Sequence, residues 1–183
     1  KEIPKRLKYW SRYGDMSLFE PSYTDIYDDH PAENSIDTII VQDTLHHLEP
    51  LQEALKIFRK VLKPGGRIVV NEENGGNPIL NLKHFRERGN KRIIEYYDEK
   101  LGKKVMMGNE NTRNYSKWKK ELRHQNFKIE EVETEFNRLL PPFYFKKRTP
   151  DQVISLEQNL GRRFPFLKNY LFCGINFVAG IEK

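Results

Sequence analysis

The stretch IDTIIV at residues 36–41 is a short run of β-branched residues, and RIVVN at residues 67–71 is a second. Runs of this kind are typical of strands that are buried on both faces of a parallel sheet. Between them, apolar residues recur at helical spacing from Leu51 to Leu62, and KPGG at residues 63–66 ends the helix. A strand, a helix and a strand within 36 residues predict a right-handed βαβ crossover.

The rest of the chain shows the same alternation less clearly. Hydrophobic periodicity and the positions of glycine, proline and capping residues predict further helices at residues 1–13, at residues 115–125 and from Thr149 onward. They predict further strands at residues 22–27, 127–136 and 172–182. The chain of 183 residues and 21.9 kDa therefore fits one α/β domain.

The composition excludes several classes of protein. Cys173 is the only cysteine, which excludes an intrachain disulfide and a thiolate metal cluster and favours a cytoplasmic setting. No apolar run reaches the roughly 18–20 residues that a membrane span requires. We therefore expect a protein that does not enter the membrane.

The net charge of +6 is unevenly distributed. Residues 1–73 carry 10 basic and 13 acidic side chains, whereas residues 74–183 carry 22 basic and 13 acidic ones. The excess in the second part favours an anionic partner there. A solvated surface of mixed charge explains the same composition.

Three motifs follow one another in the central segment. SIDTIIVQDTLHHL at residues 35–48 precedes the amphipathic helix, and VLKPGGRIVV follows at residues 61–70. This ordered set closely resembles class I S-adenosylmethionine-dependent methyltransferases, strongly over residues 35–71 and loosely from Ser22 to the C terminus. The resemblance implies a doubly wound, Rossmann-like α/β sheet that is mostly parallel with an antiparallel last strand. It also implies S-adenosyl-L-methionine as the cofactor.

One part of the family pattern is not matched. The glycine-rich turn that follows the family's first strand should precede Lys1, and no Gly-x-Gly occurs in this chain. By resemblance, residues 22–27 and 36–41 are the third and fourth strands, so the fourth would have an unpaired apolar edge. We expect residues 1–183 to form a single methyltransferase-like domain without its N-terminal part. A remodelled domain that binds no cofactor is the less favoured alternative.

The resemblance also implies cofactor-binding residues. Asp25 matches the acid that accepts a hydrogen bond from the adenine amino group, with Ile26 beside the ring. A turn-forming aspartate is the alternative for Asp25. Val41 and Gln42 are implied beneath the methionine part of the cofactor. His47 is implied beneath the site, where it packs or forms local hydrogen bonds.

His46 and Glu72 are the candidate catalytic residues. An imidazole with an ordinary pKa of about 6.5 suits deprotonation of a hydroxyl or phenol, so His46 is the expected general base. Glu72 should meet the acceptor hydroxyl or the entering cofactor, unless it is a solvated loop acid. No metal is expected on His46 and His47, because adjacent side chains point about 100° apart.

Two irregular segments, residues 74–114 and 137–171, are candidate substrate-cap insertions. They combine cationic and aromatic side chains, of which the candidates for substrate binding are Arg86, Arg88, Tyr144 and Lys147. We expect O-methylation of a small, anionic acceptor such as a sugar derivative. Nucleic acid is a less favoured partner. The alternative function is a non-catalytic module, derived from a methyltransferase, that binds nucleic acid or a protein.

Overall fold

The computed structural model describes residues 3–139 and 148–182. The helices are α1 (Ile3–Trp10), α2 (Leu51–Val61), α3 (Pro78–Arg88), α4 (Tyr115–Arg123), α5 (Pro150–Arg163) and α6 (Lys168–Leu171). The strands are β1 (Ile36–Gln42), β2 (Leu62–Glu73), β3 (Ile93–Asp98), β4 (Lys103–Gly108), β5 (Phe127–Asn137) and β6 (Gly174–Ile181). Short 3₁₀ turns lie at Leu45–His47 and Pro165–Leu167. None of the helices in this part of the chain is both long enough and apolar enough to cross a membrane.

The main sheet has four strands in the order β1-β2-β6-β5. β1 and β2 are parallel, and β6 is antiparallel to both β2 and β5. Three strands therefore run in one direction and only the last strand of the chain is reversed. This arrangement confirms the α/β sheet with an antiparallel last strand that the sequence predicts. The strands β3 and β4 form a separate antiparallel hairpin.

The β1-α2-β2 crossover forms as predicted, because its apolar pattern suits a shared core. α2 buries one stripe of side chains at helical spacing, which consists of Leu51, Ala54, Leu55, Phe58 and Val61. Leu51, Leu55 and Phe58 of this stripe belong to a core cluster that also contains Ile68 and Val70 of β2. Burying each large apolar side chain contributes roughly 1.5–3 kcal/mol, so this packing stabilises the crossover.

The KPGG motif lies near the start of β2, directly after α2. The parallel register pairs Ile36 with Leu62 and then Thr38 with Arg67, so residues 63–66 loop out between the two pairs. Gly65 has a φ of 81°, a left-handed conformation that glycine adopts without a Cβ penalty. Lys63 Nζ donates to Asp37 at 2.8 and 2.9 Å, which assigns a structural role to that early aspartate of β1.

The segment predicted as a third strand at residues 22–27 is not a strand, so that prediction is wrong. The carbonyl oxygen of Asp25 accepts hydrogen bonds from the backbone N–H groups of Asp28 and Asp29, both at 3.0 Å. Its carboxylate accepts a further one from Tyr27 N at 3.1 Å. An aspartate that bonds to its own backbone competes with strand pairing, and the local turn prevails here.

β1 is consequently an edge strand within the described part of the chain. No strand of the described residues pairs with its outer edge, and Ile40 is 77% exposed. The expectation of an unpaired apolar edge on this strand therefore agrees with the structure.

Residues 74–114 are more regular than their sequence indicates. Asn77 caps α3 by accepting a hydrogen bond from Leu80 N at 3.0 Å, and Pro78 occupies the first helical turn. The β3-β4 hairpin pairs Ile93 with Gly108 and Asp98 with Lys103. Of the twelve strand residues in this hairpin, only Asp98 and Gly108, at the strand ends, are buried. The sequence escaped prediction as a hairpin because it has no buried apolar pattern there.

Asn74 fastens the end of β2 to the segment that precedes β6. Its side chain is fully buried, and Nδ2 donates to the carbonyl oxygens of Asn169 and Phe172, both at 2.9 Å. Oδ1 accepts a hydrogen bond from Gly76 N at 2.9 Å. Buried carbonyl groups are costly to leave unpaired, so this amide holds two distant parts of the chain together.

We expect Asn74→Ala to lower the free energy of unfolding by roughly 2–4 kcal/mol, because it leaves two carbonyls and one N–H without partners. Urea denaturation measures the change. Asn81→Ala is the matched control, since Asn81 is exposed and makes one hydrogen bond to Gly75 O. The control should change stability by less than about 0.5 kcal/mol. Equal effects of the two substitutions would contradict the role assigned to Asn74.

Candidate functional site

The candidate site lies at the carboxyl ends of β1 and β2. The two strands are parallel, so these ends meet at the same edge of the sheet. After β1 the chain turns through Asp43, whose φ is 43°, into the 3₁₀ turn at Leu45–His47. Arg138 spans this edge by donating to Asp43 Oδ1 at 3.2 Å and to Glu72 O at 2.8 Å.

The structure brings His46 and Glu72 together. Glu72 is fully buried and His46 is 3% exposed. Glu72 Oε1 accepts hydrogen bonds from the backbone N–H groups of Thr44, at 2.8 Å, and Leu45, at 2.5 Å. Glu72 Oε2 lies 2.5 Å from His46 Nδ1. This contact orients the imidazole and leaves Nε2 as its second functional atom.

The charges around His46 set its protonation. Burial disfavours the imidazolium, but the hydrogen bond and charge of Glu72, with the charges of Glu110 and Glu73, outweigh burial and raise the pKa of His46. Glu72 is therefore a buried partner of the histidine and not a solvated loop acid.

Three further residues complete a cluster that sequence reasoning did not assemble. His46 Nε2 lies 3.5 Å from Glu110 Oε2. His84 Nε2 lies 3.2 Å from Glu73 Oε2 and 3.8 Å from Glu110 Oε2. Glu73 Oε2 and His84 Nδ1 are buried and have no hydrogen-bond partner in the described part of the chain.

His84 and Glu110 are the residues that sequence reasoning missed. His84 carries a weak signal, because it follows Leu80 by four residues and both are the buried positions of α3. Glu110 carries none, because it lies in the loop after β4 with a φ of 55°. Only the docking of the hairpin brings it to His46.

The end of β4 is pressed against the 3₁₀ turn. His47 Nδ1 lies 2.8 Å from Gly108 O, and Asn111 N donates to His46 O at 3.3 Å. A Cβ atom at Gly108 would lie 2.3 Å from the carbonyl oxygen of His46, so only glycine allows this approach. His47 is thus engaged with the hairpin.

A cavity of about 460 Å³ lies beside β1. Three of the five predicted cofactor-binding residues, Asp25, Ile26 and Val41, line it. Thr44 and Leu48, which flank the 3₁₀ turn, line it as well. Gln42 is exposed at the end of β1 and is not among the lining residues.

Asp25 is not a free carboxylate at the mouth of this cavity. Asp25 Oδ2 lies 2.6 Å from Lys103 Nζ. Hydrogen bonds to Asp25 and Asp28 outweigh burial and raise the pKa of Lys103. Asp25 therefore combines the turn-forming role with a position in the cavity wall.

Two of the four predicted substrate-binding residues, Arg86 and Arg88, lie in the described part of the chain, and they do not line the same groove. Arg86 is exposed and lines a shallow groove of about 270 Å³ with Ile79 and Leu82. Arg88, two residues along α3, donates from Nη1 to Gly89 O at 3.3 Å and does not line that groove. Tyr144 and Lys147 lie outside the described residues.

The model of a protein family described as "Methyltransferase domain" matches residues 13–70. This match covers β1, α2 and most of β2, the unit that forms the edge of the site. The match spans 58 of the 183 residues, about a third of the chain. No curated protein matches this chain in sequence.

Solved structures share the fold of this chain. The chain is 14% identical to an S-adenosylmethionine-dependent methyltransferase from Methanosarcina mazei, with a TM-score of 0.53, covering 100% of this chain and 78% of that one. An S-adenosylmethionine-dependent methyltransferase from Mesorhizobium loti is 16% identical with a TM-score of 0.52, covering 96% and 76%.

Phosphoethanolamine N-methyltransferase 2 of Haemonchus contortus, in complex with S-adenosyl-L-methionine, is 13% identical with a TM-score of 0.50. That match covers 87% of this 183-residue chain. The chain spans 36% of the length of the Haemonchus protein.

Ile26 and Val41 place apolar side chains in the wall of the cavity beside β1, and Asp25 places there a carboxylate that is paired with Lys103. Apolar walls with a few polar groups are typical of ligand cavities. Within the described residues, the outer edge of β1 pairs with no strand.

We expect Gly108→Ala to lower the free energy of unfolding by about 1–3 kcal/mol, because the new Cβ displaces the hairpin from the carbonyl of His46. Thermal and urea denaturation measure the loss. Gly14→Ala is the control, since a Cβ there meets nothing within 4 Å. An alanine at position 108 that is tolerated as well as one at position 14 would argue against the close approach.

We expect Glu72→Gln to cost about 1–3 kcal/mol, because the amide places an N–H₂ group where a carboxylate oxygen accepts hydrogen bonds. Urea denaturation at neutral pH measures this cost. Glu95→Gln is the control, and it should cost less than about 0.5 kcal/mol because Glu95 is exposed on β3. A larger cost at position 95 than at position 72 would contradict this assignment.

Proposed function

We propose that this chain acts in methyl transfer from S-adenosylmethionine to a hydroxyl of a small acceptor. One observation carries the proposal: the His46–Glu72 pair stands at the meeting point of two strand ends, in a turn that borders the donor-side cavity. Thr44 and Leu48 line the cavity, and His46 lies between them in the chain. The match of residues 13–70 to the methyltransferase family model supports the choice of methyl donor.

The residues of this site have distinct tasks in the proposed reaction. When bound, S-adenosylmethionine supplies an electrophilic methyl group on its sulfonium. The acceptor oxygen forms the new O–CH₃ bond as the S–CH₃ bond breaks, which yields S-adenosylhomocysteine and releases the hydroxyl proton. His46 Nε2 takes that proton, and Glu72 holds Nδ1 and stabilises the imidazolium.

Access to His46 is narrow, which suits a small acceptor. The imidazole is 3% exposed, and Glu110, whose side chain is 32% exposed, stands beside Nε2. An acceptor hydroxyl enters next to Glu110. Water is largely excluded at this position, which favours proton transfer from the acceptor over solvent.

The exposed face of α3 supports an anionic acceptor such as a sugar derivative. Lys83 and Arg86 are exposed on the helix whose buried face carries His84. An anionic group held there leaves the rest of the molecule to reach toward His46. Arg88, Tyr144 and Lys147 belong to the same proposal, as parts of substrate caps at residues 74–114 and 137–171.

The test uses the natural protein that contains these 183 residues. We expect calorimetry to detect saturable S-adenosylmethionine binding. We also expect release of S-adenosylhomocysteine with sugars or sugar phosphates as acceptors. His46→Gln should lower kcat about 10²- to 10⁴-fold without loss of donor affinity, because it removes the proton acceptor. His124→Gln, an exposed histidine after α4, is the control.

Two outcomes oppose the proposal. If the folded protein binds no S-adenosylmethionine, the proposed methyl donor is wrong. If His46→Gln leaves turnover unchanged, His46 is not the general base. If the folded protein instead binds RNA or DNA with affinity that falls steeply with salt, the non-catalytic module becomes the better description.

A further inference from the structure

We propose that Glu73, His84 and Glu110 form a binding site for a divalent transition-metal cation, with Mn²⁺ as the test case. The site uses neither of the adjacent histidines for which the sequence predicts no metal. It stands on the geometry of the cluster and is independent of methyl transfer.

The three side chains come from separate parts of the fold and converge on one point. Glu73 ends β2, His84 lies on the buried side of α3, and Glu110 lies in the loop after β4. His84 Nε2 is 3.2 Å from Glu73 Oε2 and 3.8 Å from Glu110 Oε2, and all three atoms lie within 4.8 Å of one another. Ligands about 2.1 Å from a shared ion lie roughly 3.0–3.5 Å apart, so a small contraction completes the site.

The hydrogen bonding of these residues favours an ion over an ordinary polar network. His84 is 2% exposed, and its Nδ1 has no hydrogen-bond partner in the described residues. Glu73 Oε2 is buried and also lacks one, although His84 Nε2 is near it. A buried acceptor without a partner is costly, and a cation bound by Glu73 Oε2 and His84 Nε2 would remove that cost at Glu73 Oε2. Such an ion uses Nε2 of His84 and leaves Nδ1 outside the site.

The local charge favours a cation as well. Glu72, Glu73 and Glu110 bring three carboxylates to this edge of the sheet. Within residues 3–139 and 148–182, the ion pairs of Glu73 and Glu110 involve histidines and no lysine or arginine. Glu72 is fully buried and contacts His46, whereas the side chains of Glu73 and Glu110 are 23% and 32% exposed. Two partly exposed carboxylates beside one buried imidazole form a negative site that attracts a cation.

The ligand types decide the class of ion. Ca²⁺ and Mg²⁺ prefer all-oxygen sites, whereas one imidazole with two carboxylates suits Mn²⁺ and its first-row neighbours. Three protein ligands leave coordination positions for water or a substrate oxygen. One consequence rests on the proposed function: an acceptor hydroxyl bound at an open position would lose its proton more readily to His46, which lies beside Glu110.

The test measures binding of Mn²⁺ alone, without S-adenosylmethionine, to chelator-treated natural protein. Electron paramagnetic resonance reports the loss of the free Mn²⁺ signal. We expect one site per chain and a weakening of more than about tenfold in Glu110→Gln and in His84→Gln, because each removes a ligand. Glu95→Gln, on the exposed face of the β3-β4 hairpin, is the control and should bind as the wild type does. Circular dichroism establishes that each variant is folded.

Three results would overturn the site. They are the absence of binding by the folded wild type, undiminished binding in both ligand variants, and loss of binding in His46→Gln comparable to that in Glu110→Gln. Mn²⁺ binding without methyl transfer defeats only the proposed function. Methyl transfer by a folded wild type that binds no added Mn²⁺ in the absence of chelator defeats only the metal site.

Discussion

The buried carboxylate of Glu72 is the interaction on which this edge of the molecule depends. It is inaccessible to solvent, yet it faces two backbone N–H groups and one imidazole nitrogen. A buried charge is tolerated when charge-assisted hydrogen bonds replace its hydration. Because the N–H groups belong to the turn after β1 and the carboxylate to the end of β2, this contact shapes the turn and orients His46.

The surrounding elements are arranged around that turn. His47 Nδ1 lies within hydrogen-bond distance of Gly108 O, and the backbone N–H of Asn111 donates to His46 O. These polar contacts hold the hairpin against the turn. Asn74 ties the end of β2 to the chain before β6. The docked hairpin brings Glu110 to the cluster, and α3 brings His84. The site therefore consists of four short segments, which are the turn after β1, the end of β2, α3 and the loop after β4.

The parts of the fold that the sequence predicts are those with strong local patterns. The apolar stripe of α2 and the β-branched runs on each side allow only one compact arrangement, a parallel crossover. The strand ends place His46 and Glu72 at the same edge of the sheet, because the carboxyl ends of parallel strands meet there. Their direct contact is seen only in the structure. The prediction fails at residues 22–27, where the carboxylate and carbonyl of Asp25 bond to the backbone nearby and no neighbouring strand offers pairing.

The sequence by itself determined the βαβ crossover, because periodicity reports which faces must be buried. The reversed last strand followed from the resemblance to the methyltransferase family, and not from periodicity. Tertiary structure alone decided that His84 and Glu110 join Glu73 and His46. These residues are separated along the chain by loops whose paths depend on docking, and no local pattern records a contact between two such loops. The same reason explains why Glu72, an ordinary acid at a strand end in the sequence, becomes a buried partner of His46 in the folded protein.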